Sequence, residues 1–122
     1  MRKRTFVQSA IFAVTAATWG LAQAQTTSLK FQLDWRFEGP AAFMTYPAAQ
    51  GIFKQAGLDV TVDAGNGSGG TVTRVASGAY DLGFADLAAL MEFHANNPDA
   101  PNKPVAIMML YNNTPASVMA LK

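Results

Sequence analysis

Residues 58–74 read "LDVTVDAGNGSGGTVTR", an alternating apolar segment followed by a glycine-rich turn and the start of a helical pattern. The alternation over residues 58–63 predicts a β-strand, because successive side chains of a strand point to opposite faces of its sheet. Gly65, Gly67 and Gly70 then fit the spacing G-x-G-x-x-G, which is typical of dinucleotide-binding turns when a strand precedes it and a helix follows. The stretch therefore predicts a strand, turn and helix unit whose turn faces a ligand.

Alternating patterns typical of strands and helical patterns of apolar residues continue on both sides of this stretch. Pro47 lies inside the first helical pattern, as a kink or as the start of its regular part, and Gly57 and Gly78 are predicted to end the first two helices. The order β-α-β-α-β-α-β-β favours an α/β fold whose sheet is covered by helices on both faces. Strands are predicted over residues 28–35, 58–63, 79–86, 105–113 (buried) and 116–122, and helices over residues 40–57, 71–78 and 87–97.

The N-terminal residues have the three-part pattern of a secretory signal peptide. A basic start, Arg2 to Arg4, precedes a mostly apolar run over residues 6–21 and an A-x-A cleavage pattern that ends at Ala24. A membrane anchor is the weaker alternative, because polar residues interrupt a run that is already short for a membrane span. We therefore expect residues 1–24 to be a cleaved signal peptide and residues 25–122 to be the exported part.

Composition excludes several classes of function. Three of the nine basic residues lie in the leader and all eight acidic residues lie beyond it, so the exported part carries six basic and eight acidic residues, a net charge of −2. This balance gives no reason to expect nucleic acid as a partner. The absence of cysteine excludes disulfides, thiol catalysis and cysteine-ligated metal. His94 is the only histidine and shares a helix face with apolar residues, so we expect it to be structural. We also predict that the protein binds no metal, needs no cofactor and has no catalytic residues.

Polar and aromatic residues follow the predicted strands where an open α/β sheet binds its ligands, beyond the carboxyl ends of the strands. Successive backbone N–H groups at the start of a helix form a concavity for anions, to which Ser68 and Thr71 add hydroxyl groups. Aromatic walls with a few polar groups are typical of small-molecule sites. The predicted ligand-binding residues are Trp35, Arg36, Phe37, Glu38, Gly67, Ser68, Gly69, Thr71, Asp86, Tyr111 and Asn112.

Several of these side chains also have an ordinary structural interpretation. Trp35 fits a core position as well as a ligand contact, and Arg36 fits a solvated loop as well as a clamp for a carboxylate, sulfonate or phosphate. Glu38 fits a contact to an amine or a cap at the helix start. Asp34 and Asp81 are expected to cap a strand end or a turn rather than to contact a ligand.

A dinucleotide site at the Gly65–Gly70 loop is the first alternative. Asp86 lies 16 residues beyond Gly70 and follows a predicted strand, as the ribose-binding acid of such a site does. The turn, however, follows the second predicted strand, whereas a dinucleotide turn normally follows the first. Export also argues against a nicotinamide enzyme, so an oxidoreductase fragment stays the alternative interpretation.

Three segments together resemble a known family. "LDWRFEGPAAFMTYPAAQGIFKQAGLDVTV" (residues 33–62), "GNGSGGTVTRVASG" (65–78) and "AYDLGFAD" (79–86) are similar to the opening of periplasmic solute-binding proteins of ABC importers. The branch is the one that includes binders of sulfonates, nitrate and the pyrimidine precursor of thiamine. Its eukaryotic relatives that make this pyrimidine are enzymes with a cysteine-rich run, and the absence of cysteine here argues against carrying that activity over.

The resemblance implies a type II periplasmic binding fold, in which two lobes close on a small solute. The chain is expected to supply the N-terminal, incomplete part of lobe one, as a fragment of a longer protein. It implies a monomeric, non-enzymatic protein in the periplasm that delivers a small organic solute to the membrane permease of an ABC importer. A sensor domain on the same binding fold is a further alternative.

Overall fold

The computed structural model describes residues 26–113 and 119–121. The predicted signal peptide and part of the last predicted strand lie outside the described residues. Among the residues that are described, no helix has the length and apolar character to cross a membrane. The elements are β1 (Thr27–Gln32), a 3-10 helix (Gly39–Ala41), α1 (Ala42–Ala49), α2 (Ile52–Gln55), β2 (Leu58–Asp63), α3 (Ser68–Ala76), β3 (Leu82–Gly83) and α4 (Leu87–Asn96).

The three strands form one parallel sheet in the order β2-β1-β3. β1 is central, and its pairing with β2 runs in register from Thr27 opposite Leu58 to Gln32 opposite Asp63. The chain passes from β1 to β2 on one side and then to β3 on the other side of β1. All three carboxyl ends therefore lie at one edge, and the strand order reverses there, between β1 and β3.

Helices cover both faces of β1, as the α/β prediction requires. The Phe31 ring packs edge-on against Phe43 of α1, with 6.3 Å between centroids. The next side chain, Gln32, points to the opposite face and contacts Arg74 of α3. Buried Leu33 and Val72 are 2% and 4% exposed. The fold class is therefore a mixed α/β fold with a parallel sheet, as predicted and as a periplasmic-binding-protein-like fold requires.

The first predicted helix is broken, but not at Pro47. Pro47 lies within α1, and the break follows at Gly51, which has a left-handed φ of 70°. This conformation ends α1 because it turns the chain out of the helical path, and glycine adopts it without steric cost. Gly57, at φ 76°, ends α2 as predicted. The helix predicted over residues 40–57 is therefore divided by a glycine-mediated turn four residues after Pro47, and its regular part does not begin at Pro47.

The third strand is much shorter than predicted. Only Leu82 and Gly83 pair with β1, although residues 79–86 alternate. Just before them, the Asp81 carboxylate accepts a hydrogen bond of 2.8 Å from the Lys30 amide, and the Asp81 amide donates to the Lys30 carbonyl. A side chain thus takes the place of a backbone acceptor, which stops the strand from extending. Asp81 has the strand-end role that its sequence position predicts.

The buried strand predicted over residues 105–113 is wrong. Val105 and Ile107 are 73% and 79% exposed, and the segment forms no strand pairing among the described residues. Apolar composition provides side chains for a core, whereas a strand also needs a neighbouring strand to accept and donate its backbone hydrogen bonds. For the last predicted strand, residues 119–121 are in no strand, and residues 114–118 and 122 lie outside the described residues.

Candidate functional site

The loops that follow the three strands meet at the carboxyl edge of the sheet. Residues 33–38 follow β1, residues 64–67 follow β2 and residues 84–86 follow β3. Backbone hydrogen bonds join the first two loops, from the Gly65 amide to the Trp35 carbonyl at 2.9 Å and from the Gly67 amide to the Asp34 carbonyl at 2.6 Å. The first two loops are therefore one connected backbone surface rather than separate turns.

Two glycines make this close approach possible. A Cβ atom on Gly65 would lie 1.9 Å from the Leu33 carbonyl oxygen, so no other residue fits against the end of β1. Gly67 has a φ of 103° and stands immediately before α3, where a side chain would be strained. The glycine-rich sequence is thus explained first by packing between two loops.

Hydroxyl groups at the start of α3 connect the loops further. The Thr71 side chain is 2% exposed, and its hydroxyl donates to the Leu33 carbonyl at 3.0 Å. The Ser68 hydroxyl lies 3.4 Å from an Asp34 carboxylate oxygen and accepts a bond of 3.0 Å from the Asp86 amide. Ser68 therefore links all three loops, and Thr71 positions the loop after β1 from inside the fold.

The side chains of the first loop are open to solvent. Trp35 and Phe37 are 48% and 59% exposed, so Trp35 occupies the loop surface rather than the core. The Arg36 guanidinium carbon lies 5.9 Å from the centroid of the Trp35 ring, within the range of a cation–π contact. Glu38 is also exposed, and its side chain makes no cap hydrogen bond at the 3-10 helix that follows.

The remaining predicted site residues lie at the other end of this edge. The Asp86 carboxylate accepts a bond of 2.8 Å from the Ala88 amide, which caps α4. The Tyr111 ring lies 6.2 Å from that of Phe84, which follows β3. The side chains of Asp86, Tyr111 and Asn112 are exposed. The structure thus brings Tyr111 beside the third loop, although its predicted strand is not formed.

The geometry of the turn argues against the dinucleotide alternative. The Gly67 amide, which would approach a pyrophosphate, already donates to the Asp34 carbonyl. A Cβ atom on Gly70 would meet nothing within 4 Å, so close packing of helix on strand does not require the third glycine. The Asp86 carboxylate, proposed for a ribose, caps α4 instead. The spacing G-x-G-x-x-G here arises from loop packing.

Sequence reasoning missed the most buried polar side chain. Gln32 is fully buried, and its amide nitrogen lies 2.7 Å from the Ala64 carbonyl, 3.2 Å from that of Asp63 and 3.1 Å from that of Leu33. Its amide oxygen accepts a bond of 2.8 Å from Arg74. The available signal was a polar residue at the end of a strand that helices cover on both faces, where apolar residues are usual.

Two further polar contacts lie outside the three loops. The Tyr80 hydroxyl donates to the Asp63 carboxylate at 3.1 Å, and this hydrogen bond, with partial desolvation and the carboxylate charge, raises the pKa of Tyr80 above its ordinary value of 10.0. His94 is half-buried, and its Nε2 lies 2.8 Å from the Pro104 carbonyl. The expectation of a structural histidine is confirmed.

Other places offer less for a ligand. A shallow depression lined by Thr26, Ser28, Lys54 and Asp59 lies at the amino edge of the sheet, opposite to the three loops. Ligands of open α/β sheets bind at the carboxyl edge, so we do not assign a site to the depression. Within residues 26–113 and 119–121, no three carboxylate or imidazole side chains converge as metal ligands would.

The comparisons with known proteins add one finding. A family model described as NMT1/THI5 like matches residues 41–122, two thirds of the chain. No curated protein matches the chain, and no solved structure matches it. The matched range contains the glycine turn, α3 and the loop after β3, whereas residues 33–38 precede it.

Proposed function

The chain belongs to the NMT1/THI5-like family of periplasmic solute-binding proteins of ABC importers, and from this membership we propose that its carboxyl-edge loops bind a small organic solute. Solute binding for ABC import is the general role of the family, whose members are binding proteins and generally not enzymes. The solute classes that we propose are a thiamine pyrimidine precursor, a sulfonate or an aromatic acid.

The observation that carries this proposal is the exposed Trp35 ring with the Arg36 guanidinium over it, on a loop whose backbone is bonded to Gly65 and Gly67 just before α3. An exposed aromatic face offers apolar area to a flat solute, and a guanidinium pairs with carboxylate or sulfonate oxygens through two parallel donors. Phe37, also exposed, extends the apolar surface of the same loop. We assign Trp35 the stacking role and Arg36 the role of anion clamp.

The start of α3 also favours a negatively charged group on the solute. The first helical hydrogen bond is donated by the Thr71 amide to the Gly67 carbonyl. The amides of Ser68, Gly69 and Gly70 precede it, and such first-turn amides together with the helix dipole favour negative charge. Gly69 has open space around it, which lets a solute approach the backbone. We propose these amides as partners of the anionic group.

Side chains around this centre complete the proposed site. Glu38 is the candidate partner for an amine on the solute, as a pyrimidine precursor would carry. Asp86 in the loop after β3, Tyr111 beside that loop and the next residue, Asn112, are further proposed contacts, and all three side chains are exposed. The buried Thr71 hydroxyl donates to the Leu33 carbonyl and so holds the loop that bears Trp35.

The proposed mechanism is binding without chemical change. The solute is captured at the loops in the periplasm, a second lobe closes over it, and the complex docks on the membrane permease of an importer. Residues 1–24 are proposed to direct export and to be removed. The protein is proposed to act as a monomer and to need no cofactor.

Fluorescence of Trp35 tests the proposed function directly. The Trp19→Phe variant of the chain leaves Trp35 as its one tryptophan. This protein is titrated with benzoate, benzenesulfonate, the hydroxymethylpyrimidine precursor of thiamine and NAD. A saturable change with one of the first three and none with NAD supports the proposal. A change with NAD alone, or no change with any of the four, contradicts it.

Charge variants then test the role of Arg36. Arg36→Gln is expected to raise the Kd of the responding anion about 10- to 100-fold, because hydrogen bonds to charged groups contribute roughly 1.5–3 kcal/mol. Lys54→Gln is the matched control, since it removes one positive charge at the opposite edge of the sheet. Equal effects of the two substitutions would show that only net charge matters, and would remove Arg36 from the site.

A further inference from the structure

A buried amide connects the loops of the proposed solute site to α3. Gln32 is fully buried at the end of the central strand. Its amide nitrogen contacts the carbonyl oxygen of Leu33, just after β1, and those of Asp63 and Ala64 at the end of β2. The nearest is that of Ala64, at 2.7 Å. Its amide oxygen accepts from Arg74 at 2.8 Å. One side chain therefore contacts β1, the start of the second loop and a helix.

The hydrogen-bond partners of Gln32 fix the orientation of its amide group, which the shape of the space around it does not. A buried amide is unfavourable unless both its donor and its acceptor side are satisfied. The carbonyl oxygens require the nitrogen of Gln32 on their side, and the Arg74 donor requires the oxygen on the other. An apolar residue of similar size would fill the same space without linking the loop to α3. The amide thus fixes where the Ala64 carbonyl lies.

The position of Ala64 determines the next contacts along the chain. Gly65 follows at once and must pack against the Leu33 carbonyl, where there is no room for a Cβ atom. The Gly65 amide then reaches the Trp35 carbonyl, and the Gly67 amide reaches that of Asp34. A shift of Ala64 would therefore move the backbone that carries Trp35 and the backbone that opens α3.

We propose that Gln32 and Arg74 are positioning residues of the solute site. Gln32 holds the loop after β2 against the loop after β1, and Arg74 keeps the Gln32 amide in the orientation that this requires. The effect on solute binding rests on the proposed function, whereas the positioning of the two loops does not. Neither residue contacts the solute, so the effect on binding passes through Trp35 and the first turn of α3.

Amide hydrogen exchange in the 122-residue chain tests the positioning without any solute. Gln32→Glu keeps the shape and the acceptor for Arg74 but turns an oxygen toward the carbonyl groups. We expect exchange of the Gly65 and Gly67 amides to accelerate at least about tenfold relative to reference amides. The references are the Thr27 and Asp81 amides, which bond to the Gly57 and Lys30 carbonyls and do not contact Gln32.

Tyr80→Phe is the matched control for a loss of overall stability. It removes one hydrogen bond to the Asp63 side chain and leaves the backbone contacts of both loops in place. We expect it to change all four amides by a common factor. If Gln32→Glu also changes them by a common factor, Gln32 contributes only to stability and the proposal is wrong.

A second variant covers the case in which Gln32→Glu does not fold. Arg74→Met leaves Gln32 in place but removes the donor to its amide oxygen, so its amide is held less firmly, and we expect a selective acceleration of Gly65 and Gly67 of about threefold. No selective change would overturn the proposal. Titration of the parent with benzoate, benzenesulfonate and the hydroxymethylpyrimidine precursor of thiamine is a separate measurement. A parent that binds no probe contradicts the proposed function, while the exchange pattern still decides the positioning.

Discussion

Replacing Gly65 by alanine is the sharpest single test of how the loops are built. The added Cβ atom would lie 1.9 Å from the Leu33 carbonyl oxygen and 2.7 Å from two backbone carbon atoms, those of Leu33 and Asp34. All three neighbours belong to the main chain, so no side-chain rotation can relieve the overlap. Gly65 is not among the glycines with positive φ, so the effect comes from contact alone rather than from backbone strain.

The expected loss in free energy of unfolding has two parts, the steric overlap and the hydrogen bonds that break when the loops separate. Forcing an extra carbon into a packed position costs roughly 1–3 kcal/mol, and a rigid backbone neighbour puts this case at the upper end. Separation of the loops also breaks the bonds from the Gly65 and Gly67 amides to the first loop, each contributing about 1 kcal/mol. We therefore expect Gly65→Ala to lower the free energy of unfolding by about 3–5 kcal/mol.

Urea unfolding followed by circular dichroism measures this difference. Gly70→Ala is the matched control, because it makes the same substitution within α3 where a Cβ atom meets nothing within 4 Å. It should raise stability by up to about 1 kcal/mol, as alanine does in place of glycine in a helix. A Gly65→Ala protein within about 0.5 kcal/mol of the parent would refute the packing argument.

Two further outcomes are expected, one at the cap of α4 and one at the end of β2. Asp86→Ala should lower the free energy of unfolding by about 1 kcal/mol in urea, since it removes the acceptor for the Ala88 amide, and Asp86→Asn should lose less. Because the bond to Asp63 raises the pKa of Tyr80 above 10.0, the folded state favours the neutral phenol. Its contribution to stability is complete below about pH 10 and is lost as pH rises through the folded pKa. Tyr80→Phe should therefore reduce the alkaline loss of stability between about pH 9 and about pH 12, measured by urea unfolding at each pH; an unchanged alkaline slope would contradict this.

Local patterns were sufficient to predict β2, α4 and the presence of α3, although α3 begins at Ser68, three residues before its predicted start. The strand over residues 58–63 has the bounds that its alternation predicts. Gly78 follows α3 with a φ of 76°, as a C-terminal glycine should. These elements depend on contacts between neighbours in sequence, and such contacts can be read from residue types. The parallel sheet followed because helices alternate with the strands.

Pairing between distant segments could not be read in this way. β3 does not begin before Leu82 because the Asp81 carboxylate takes a backbone donor of β1, and nothing near Asp81 in sequence indicates that partner. Residues 105–113 have strand-like composition but form no strand pairing with the sheet. Strand formation depends on an available neighbouring edge, which is a property of the assembled fold.

The candidate site shows the same division. Sequence placed Trp35, Arg36 and Ser68 at the carboxyl edge, because parallel strands bring their following loops together. It predicted that the Thr71 hydroxyl belongs to the ligand site, whereas in the structure this buried hydroxyl bonds to the Leu33 carbonyl. It missed Gln32, since a single glutamine carries no sign of the three carbonyl groups around it. Buried polar contacts form between residues about 30 to 40 positions apart, beyond any local pattern.

The two kinds of residue at this edge have complementary tasks. Trp35, Arg36 and Phe37 present exposed side chains, which alone would sample many positions and lose entropy on binding. Their loop backbone, however, accepts bonds from both glycine amides and, at Leu33, from the buried Thr71 hydroxyl. A fixed backbone lowers the cost of ordering the side chains when a solute arrives. Substitutions in the buried contacts should therefore weaken solute binding even though they touch no solute.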